Sequence, residues 1–176
     1  MIELIRFQSP IGLLSILAVE EGVIKISLSN ESTKEIEKWC QNHFGIGITE
    51  GTHLTSNAYS QILNYLSARR KSLDFPVVHI NSTFRKSVLE VEKKIPYGQT
   101  RSYREVAQMI DNPKAFRAVG SANAENPLPL YYPCHRIIYS NGRLGGYSGG
   151  KKAKQYLLNL EKNSLNIHYN LHSSQL

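Results

Sequence analysis

Cysteine is scarce in this sequence: Cys40 and Cys134 are the only two among 176 residues, lie far apart, and form no CxxC pair. That excludes a disulfide framework and a cysteine-rich zinc module. Long apolar runs are missing too, and no stretch approaches the roughly 20 apolar residues a membrane span needs. The opening MIELIRFQSP carries charges at Glu3 and Arg6, so no signal peptide is read there. A free thiol then fits a reducing, cytoplasmic setting. Acidic residues are the minority, 14 against 21 Lys and Arg, leaving a formal charge of +7. A polyanionic partner and plain solubility explain such a balance equally well. Repeats and low-complexity tracts are absent. An apolar share of 41% is enough for a core, and the length suits one ordinary domain or two small ones.

The two halves of the chain read differently. LLSILAV and VIKISL flank Glu20, Glu21 and Gly22 as a hairpin. Helical spacing runs from Glu31 to Phe44, followed by a Gly- and Thr-rich loop, GIGITEGTHLT. A second helix is expected over Asn57 to Arg70, burying Ile62, Leu63 and Leu66, and a short strand over Phe75 to Ile80. The expected architecture is an α/β N-terminal domain, a small sheet with helices, over residues 1–80. A mainly α C-terminal domain follows over 81–164, and 165–176 reads as a polar, frayed tail. The second unit opens with a helix from Thr83 to Ile95, with Phe84, Val88 and Val91 inward, stopped by Pro96. Ser102 to Glu105 is a capping box starting another helix. Asp111-Asn112-Pro113 ends it, and a further helix covers Lys114 to Ala124. Two short helices joined by a tight turn make a helix-turn-helix candidate. Asn126-Pro127 and Leu128-Pro129 then force an extended path into Tyr131-Tyr132-Pro133-Cys134-His135-Arg136 and a strand at Ile137 to Tyr139. NGRLGGYSGG precedes a last helix from Lys151 to Glu161.

A thiol attacks only as thiolate, and an unperturbed cysteine is mostly protonated at neutral pH. Cys134 is followed by a base, His135, and a permanent cation, Arg136. A buried structural cysteine beside a surface histidine fits the same tripeptide, and so does the nucleophile of a Cys/His hydrolase.

PCHR, with NP upstream, GGYSGG downstream and IPYGQTRSY earlier, resembles the O6-alkylguanine-DNA alkyltransferase family in motif order and spacing. The resemblance covers Thr83 to Glu161, and more weakly SPIGLLSILAVEEG near the N-terminus. It implies repair of DNA by one irreversible transfer of an alkyl group from guanine O6 to Cys134, the active-site cysteine. O4-alkylthymine is a further candidate substrate. By the resemblance His135 is the base acting through a water, Glu161 the carboxylate orienting it, and Tyr103 the proton donor to departing guanine. Tyr147 and Ser148 match the wall of the guanine pocket, and Asn126 the hinge joining recognition helix to active-site strand. Arg136 sits at the substrate site and pairs with a nearby carboxylate.

Because a lesion inside a duplex must be rotated out of the stack, a DNA-binding set follows by the same resemblance. Arg117 matches the arginine finger that fills the gap, while Ala115, Ala118, Gly120 and Ser121 are small enough for close approach to a minor groove. Phe116 and Asn123 depart from the family pattern: Phe116 is bulky, and Asn123 is polar where some members place an apolar residue. The implied partner is double-stranded DNA containing O6-alkylguanine, bound with weak sequence dependence by a monomer. No cofactor and no metal are expected. Cys40 is isolated, and His43, His53 and His79 lack ligand spacing. Lys151, Lys152 and Lys154 read as phosphate contacts or as solvated charges. Other readings are a lesion-binding alkyltransferase-like protein without catalysis, a helix-turn-helix regulator, and a cysteine hydrolase.

Overall fold

A computed structural model describes residues 1–28, 31–80 and 82–173, with side chains to residue 166. Four strands form the first sheet: β1 (Ile2–Ser9), β2 (Gly12–Val19), β3 (Gly22–Ser27) and β4 (Ile48–Glu50), in the order β3-β2-β1-β4. The β2–β3 hairpin is the one the alternating apolar runs predict, and β1 pairs antiparallel with β2. The sequence reading misses β1, and it gives β4 to a loop. β4 contributes three residues that pair parallel with β1 from Ile2↔Ile48, a long-range contact its Gly- and Thr-rich surroundings conceal.

Helix α1 (Thr33–Phe44) starts at a capping box between Ser32 and Glu35 and ends at Gly45. Helix α2 (Ser56–Leu66) buries Ala58, Gln61, Ile62, Tyr65 and Leu66, one stripe at helical spacing. Leu63 lies off that stripe and is exposed, against expectation. The strand expected at Phe75 to Ile80 does not form. Pro76 has no N–H to give a ladder, and only Val77 bridges, to Val23.

Asn81, where the sequence reading starts the second unit, lies outside the described residues. Helix α3 (Thr83–Lys93) buries Val88, Leu89 and Glu92. Phe84, in its first turn, is exposed rather than inward. The short strand β5 (Arg101–Ser102) leads into α4 (Tyr103–Met109), whose Ser102–Glu105 capping box is formed as expected. A turn with Asp111 at φ 55° connects to α5 (Phe116–Ala124). Cys134–Arg136 makes one 3-10 turn, β6 (Ile137–Ile138) pairs parallel with β5, and α6 (Gly150–Ser173) closes the fold. Helix α6 continues well past Ser164, where the sequence reading begins a frayed tail, and residues 174–176 lie outside the described residues.

One apolar cluster joins the two halves. It holds Leu14, Ile16 and Ile26 of the sheet, Ile62 and Tyr65 of α2, and Leu89, Leu128, Tyr132 and Leu157. A second cluster lies among α3, α4 and α5 around Val88, Val106, Val119 and Ile137. Cys40 is buried in a third, behind the sheet. The 3-10 turn bearing Cys134 thus sits between two packed layers. No helix among the described residues is long and apolar enough to cross a membrane.

Candidate active site

Glu161 organises a buried network behind Cys134. Its Oε1 lies 2.7 Å from His135 Nε2, and Arg136 donates from Nε at 3.1 Å and Nη2 at 3.0 Å. The Tyr65 hydroxyl also donates to Oε1, and the Gly98 N–H donates to Oε2 at 2.6 Å. Gly98 takes φ 80°, and a Cβ there would meet Leu165, so the PYGQT turn needs glycine to bring its N–H in. Burial alone would raise the Glu161 pKa, but His135 and Arg136 more than offset it and hold the carboxyl down at about 2. A carboxylate facing Nε2 makes Nε2–H the donor and leaves the Nδ1 lone pair free. Nδ1 has no hydrogen-bond partner among the described residues. Burial lowers the His135 pKa, so the ring is neutral and able to take a proton at Nδ1.

The thiol itself is not activated by its chain neighbours at rest. Burial pushes the Cys134 pKa up to about 12, with the Asn126 hydrogen bond and Lys154 acting the other way. Arg136, expected at the substrate site, points away: its guanidinium is committed to Glu161 and, at 2.6 Å, to the Ile95 carbonyl. Its pairing with a carboxylate is as expected. Asn126 Nδ2 donates to Cys134 Sγ at 3.2 Å and to the Tyr132 carbonyl at 3.1 Å, and its Oδ1 accepts from Leu128 N–H at 2.9 Å. This asparagine locks the X-Pro segment to the cysteine.

Cys134 opens onto a cavity of about 970 Å³. Tyr103, Tyr147 and Ser148 line it, together with Arg117, Phe116, Gly120, Ser121 and Asn123 from α5. Burial raises the Tyr103 pKa to about 12, so it remains a phenol able to donate. Gly145, at φ 73°, passes so close that a Cβ would lie 2.7 Å from the Tyr103 hydroxyl. His135, Glu161, Arg136 and Asn126 stand behind the cavity wall rather than on it. Ala115 caps α5, and Ala118 is exposed; neither lines the cavity. Among the described residues no group of His, Cys, Asp or Glu is placed to hold a metal.

The profile described as "6-O-methylguanine DNA methyltransferase, DNA binding domain" matches residues 83–163. The methylated-DNA–protein-cysteine methyltransferase of Methanosarcina acetivorans is 39% identical over 158 residues, 88% of this chain and 95% of its own length. The chain belongs to that methyltransferase family. The crystal structure of Mycobacterium tuberculosis O6-methylguanine methyltransferase superposes with a TM-score of 0.81 at 33% identity, covering 93% of this chain and 94% of its own. The structure of the M. tuberculosis protein in complex with DNA gives 0.78 at 33% identity, covering 93% of each chain.

Two residues of this family member escape the sequence reading. Tyr65 comes from the N-terminal half, where no chemistry is legible, and reaches both Glu161 and, at 3.2 Å, His135 Nε2. Lys154, read as a surface charge, is fully buried and donates to the carbonyls of Ile137 and Gly146. The signal was its spacing: residues 154, 157, 161 and 164 fall on the buried face of α6. Tyr65→Phe removes one buried donor while Glu161 keeps the others. Urea unfolding should show a loss of about 1–2 kcal/mol, with transfer slowed only several-fold.

Proposed function

We propose that the protein repairs O6-alkylguanine in double-stranded DNA by transferring the alkyl group to Cys134, once per molecule. The observation that carries this reading is the shared cavity: Cys134 opens onto it, and α5 supplies one wall. In the proposed sequence the lesion is rotated out of the stack into the cavity. The Cys134 proton passes through a water to His135 Nδ1, with Glu161 stabilising the resulting imidazolium. Sγ then attacks the alkyl carbon in line, the carbon–O6 bond breaks, and its electron pair goes to guanine. Tyr103 donates a proton to the base, leaving a thioether on Cys134 and restored guanine, and solvent returns the Tyr103 phenolate and the His135 imidazolium to neutral. Tyr147 and Ser148 flank the base, and no cofactor takes part.

Helices α4 and α5 serve as the helix-turn-helix, with α5 laid along the minor groove and Arg117 filling the space the base leaves. Ala115, Ala118, Gly120 and Ser121 allow close approach, and Phe116 acts beside the finger as an apolar wedge. Phosphate contacts make binding salt-dependent and weakly sequence-dependent, and the protein acts as a monomer. Residues 1–80 act as scaffold and residues 81–164 as the working unit. Repeated turnover separates this reading from a hydrolase. Repaired DNA should plateau at one equivalent of protein, and repair continuing beyond one equivalent contradicts it. Arg117→Ala should slow transfer from a duplex about tenfold more than transfer from the free base, since flipping costs a few kcal/mol only in the duplex. Equal slowing on both substrates contradicts the finger.

A further inference from the structure

Glu92 has no part in that transfer, yet it lies fully buried on α3, near enough for its charge to act on the reacting thiol. Both of its carboxyl oxygens lack a hydrogen-bond partner among the described residues, and so do both amide atoms of Asn123 on α5. The Asn123 amide lies near enough to act on the Glu92 carboxyl, without well-formed hydrogen-bond geometry. Four unpartnered polar atoms at one helix contact are costly to retain. Asn123 also lines the cavity onto which Cys134 opens, and Glu92, fully buried, stands behind that wall.

Resting on the alkyl-transfer reading, we infer that Glu92 is a positioning residue, which, as the neutral acid, steadies Asn123 in the cavity wall and spares the forming Cys134 thiolate a second negative charge. A neutral carboxyl keeps a carbonyl oxygen that can accept from Asn123 Nδ2, a contact that favours the ionised form more strongly. Asn123 on α5 and Lys154 on α6 act on the Glu92 carboxyl, and Glu92 in turn acts on Cys134 in the 3-10 turn and Tyr103 on α4. Burial raises the Glu92 pKa to about 8, with Asn123 and Lys154 opposing it, so the acid is neutral at pH 7. Lys154 is itself brought down to about 8 by burial. An ionised Glu92 acts directly against the thiolate.

The test is the single-turnover rate of methyl transfer from duplex O6-methylguanine, measured across pH for wild type, Glu92→Gln, Glu92→Leu and Asn123→Leu. Thiol ionisation and the titration of Lys154 near pH 8 are present in both wild type and Glu92→Gln, so their ratio reads the charge that Glu92 adds. That ratio should stay level below pH 8 and fall roughly tenfold above it, as expected for a nearby buried charge. In Asn123→Leu the fall should move to higher pH, because the amide that eases Glu92 ionisation is gone. Glu92→Leu, which has no carboxyl to ionise, should track Glu92→Gln in its pH dependence. Urea unfolding gives a second readout. A folded pKa near 8 lies above the unfolded carboxyl value near 4.3, so wild-type stability should fall relative to Glu92→Gln from about pH 4.3 upward and level off above about 8. A level ratio across pH 8 in folded proteins overturns the inference and leaves alkyl transfer standing. Wild type that transfers nothing at any pH overturns both.

Discussion

Cys134→Ala transfers no methyl group, and the protein still binds duplex DNA carrying O6-methylguanine. The expectation follows from where the sulfur sits. Cys134 is 5% exposed, in a 3-10 turn held by backbone bonds from Cys134 N to Tyr132 O and from Arg136 N to Pro133 O. Alanine keeps both bonds and removes only the sulfur. Asn126 loses its contact with Sγ but still donates to the Tyr132 carbonyl and accepts from Leu128. The wall formed by α5 is untouched, and the stability change should stay within about 1–2 kcal/mol, at the low end for a small cavity. A repair assay beside a binding assay checks both halves. Residual transfer by the variant would place the acceptor elsewhere, and loss of binding together with transfer would mean that the turn had collapsed.

Glu161→Gln is expected to cost both rate and stability. The substitution keeps the shape and removes the charge that His135 and Arg136 share. Arg136 is then buried without a counter-charge, and breaking such a pair costs about 3–5 kcal/mol. His135 also loses the carboxylate that fixes Nε2–H and leaves Nδ1 free, so transfer should fall at least about 100-fold, in the range for a misplaced general base. The pH behaviour has a definite sign. Glu161, near 2 in the fold, titrates near 4.3 when unfolded. Its stabilisation is complete above about pH 4.5 and is lost as pH falls towards 2, amounting to about 3 kcal/mol. Wild type should therefore weaken in that acid window more steeply than Glu161→Gln. Parallel acid profiles for the two proteins would remove Glu161 from the centre of the network.

How far the site could be read in advance depended on distance along the chain. The Ser102–Glu105 capping box and the hairpin around Gly22 are local patterns, and both form as the sequence indicates. The Cys134-His135-Arg136 run is local too, but its electrostatics are not. Arg136 turns to Glu161, 25 residues on, and burial raises the thiol instead of lowering it. Tyr65 lies 70 residues from His135 and 96 from Glu161, and nothing around a tyrosine on an amphipathic helix announces that reach. Strand β4 was hidden in the same way, since its three residues become a strand only against β1. Lys154 reads as a solvated charge because a lysine on a helix is usually solvated, and its burial follows from its register with Glu161 on α6.

The most direct test of the central claim is the intact mass of the protein after incubation with one oligonucleotide duplex carrying a single O6-methylguanine. Alkyl transfer predicts a gain of one methylene, confined to the Cys134 peptide and stopping at one equivalent. Folded, reduced protein that binds the lesion and gains no mass would contradict it and leave a damage-binding protein in its place.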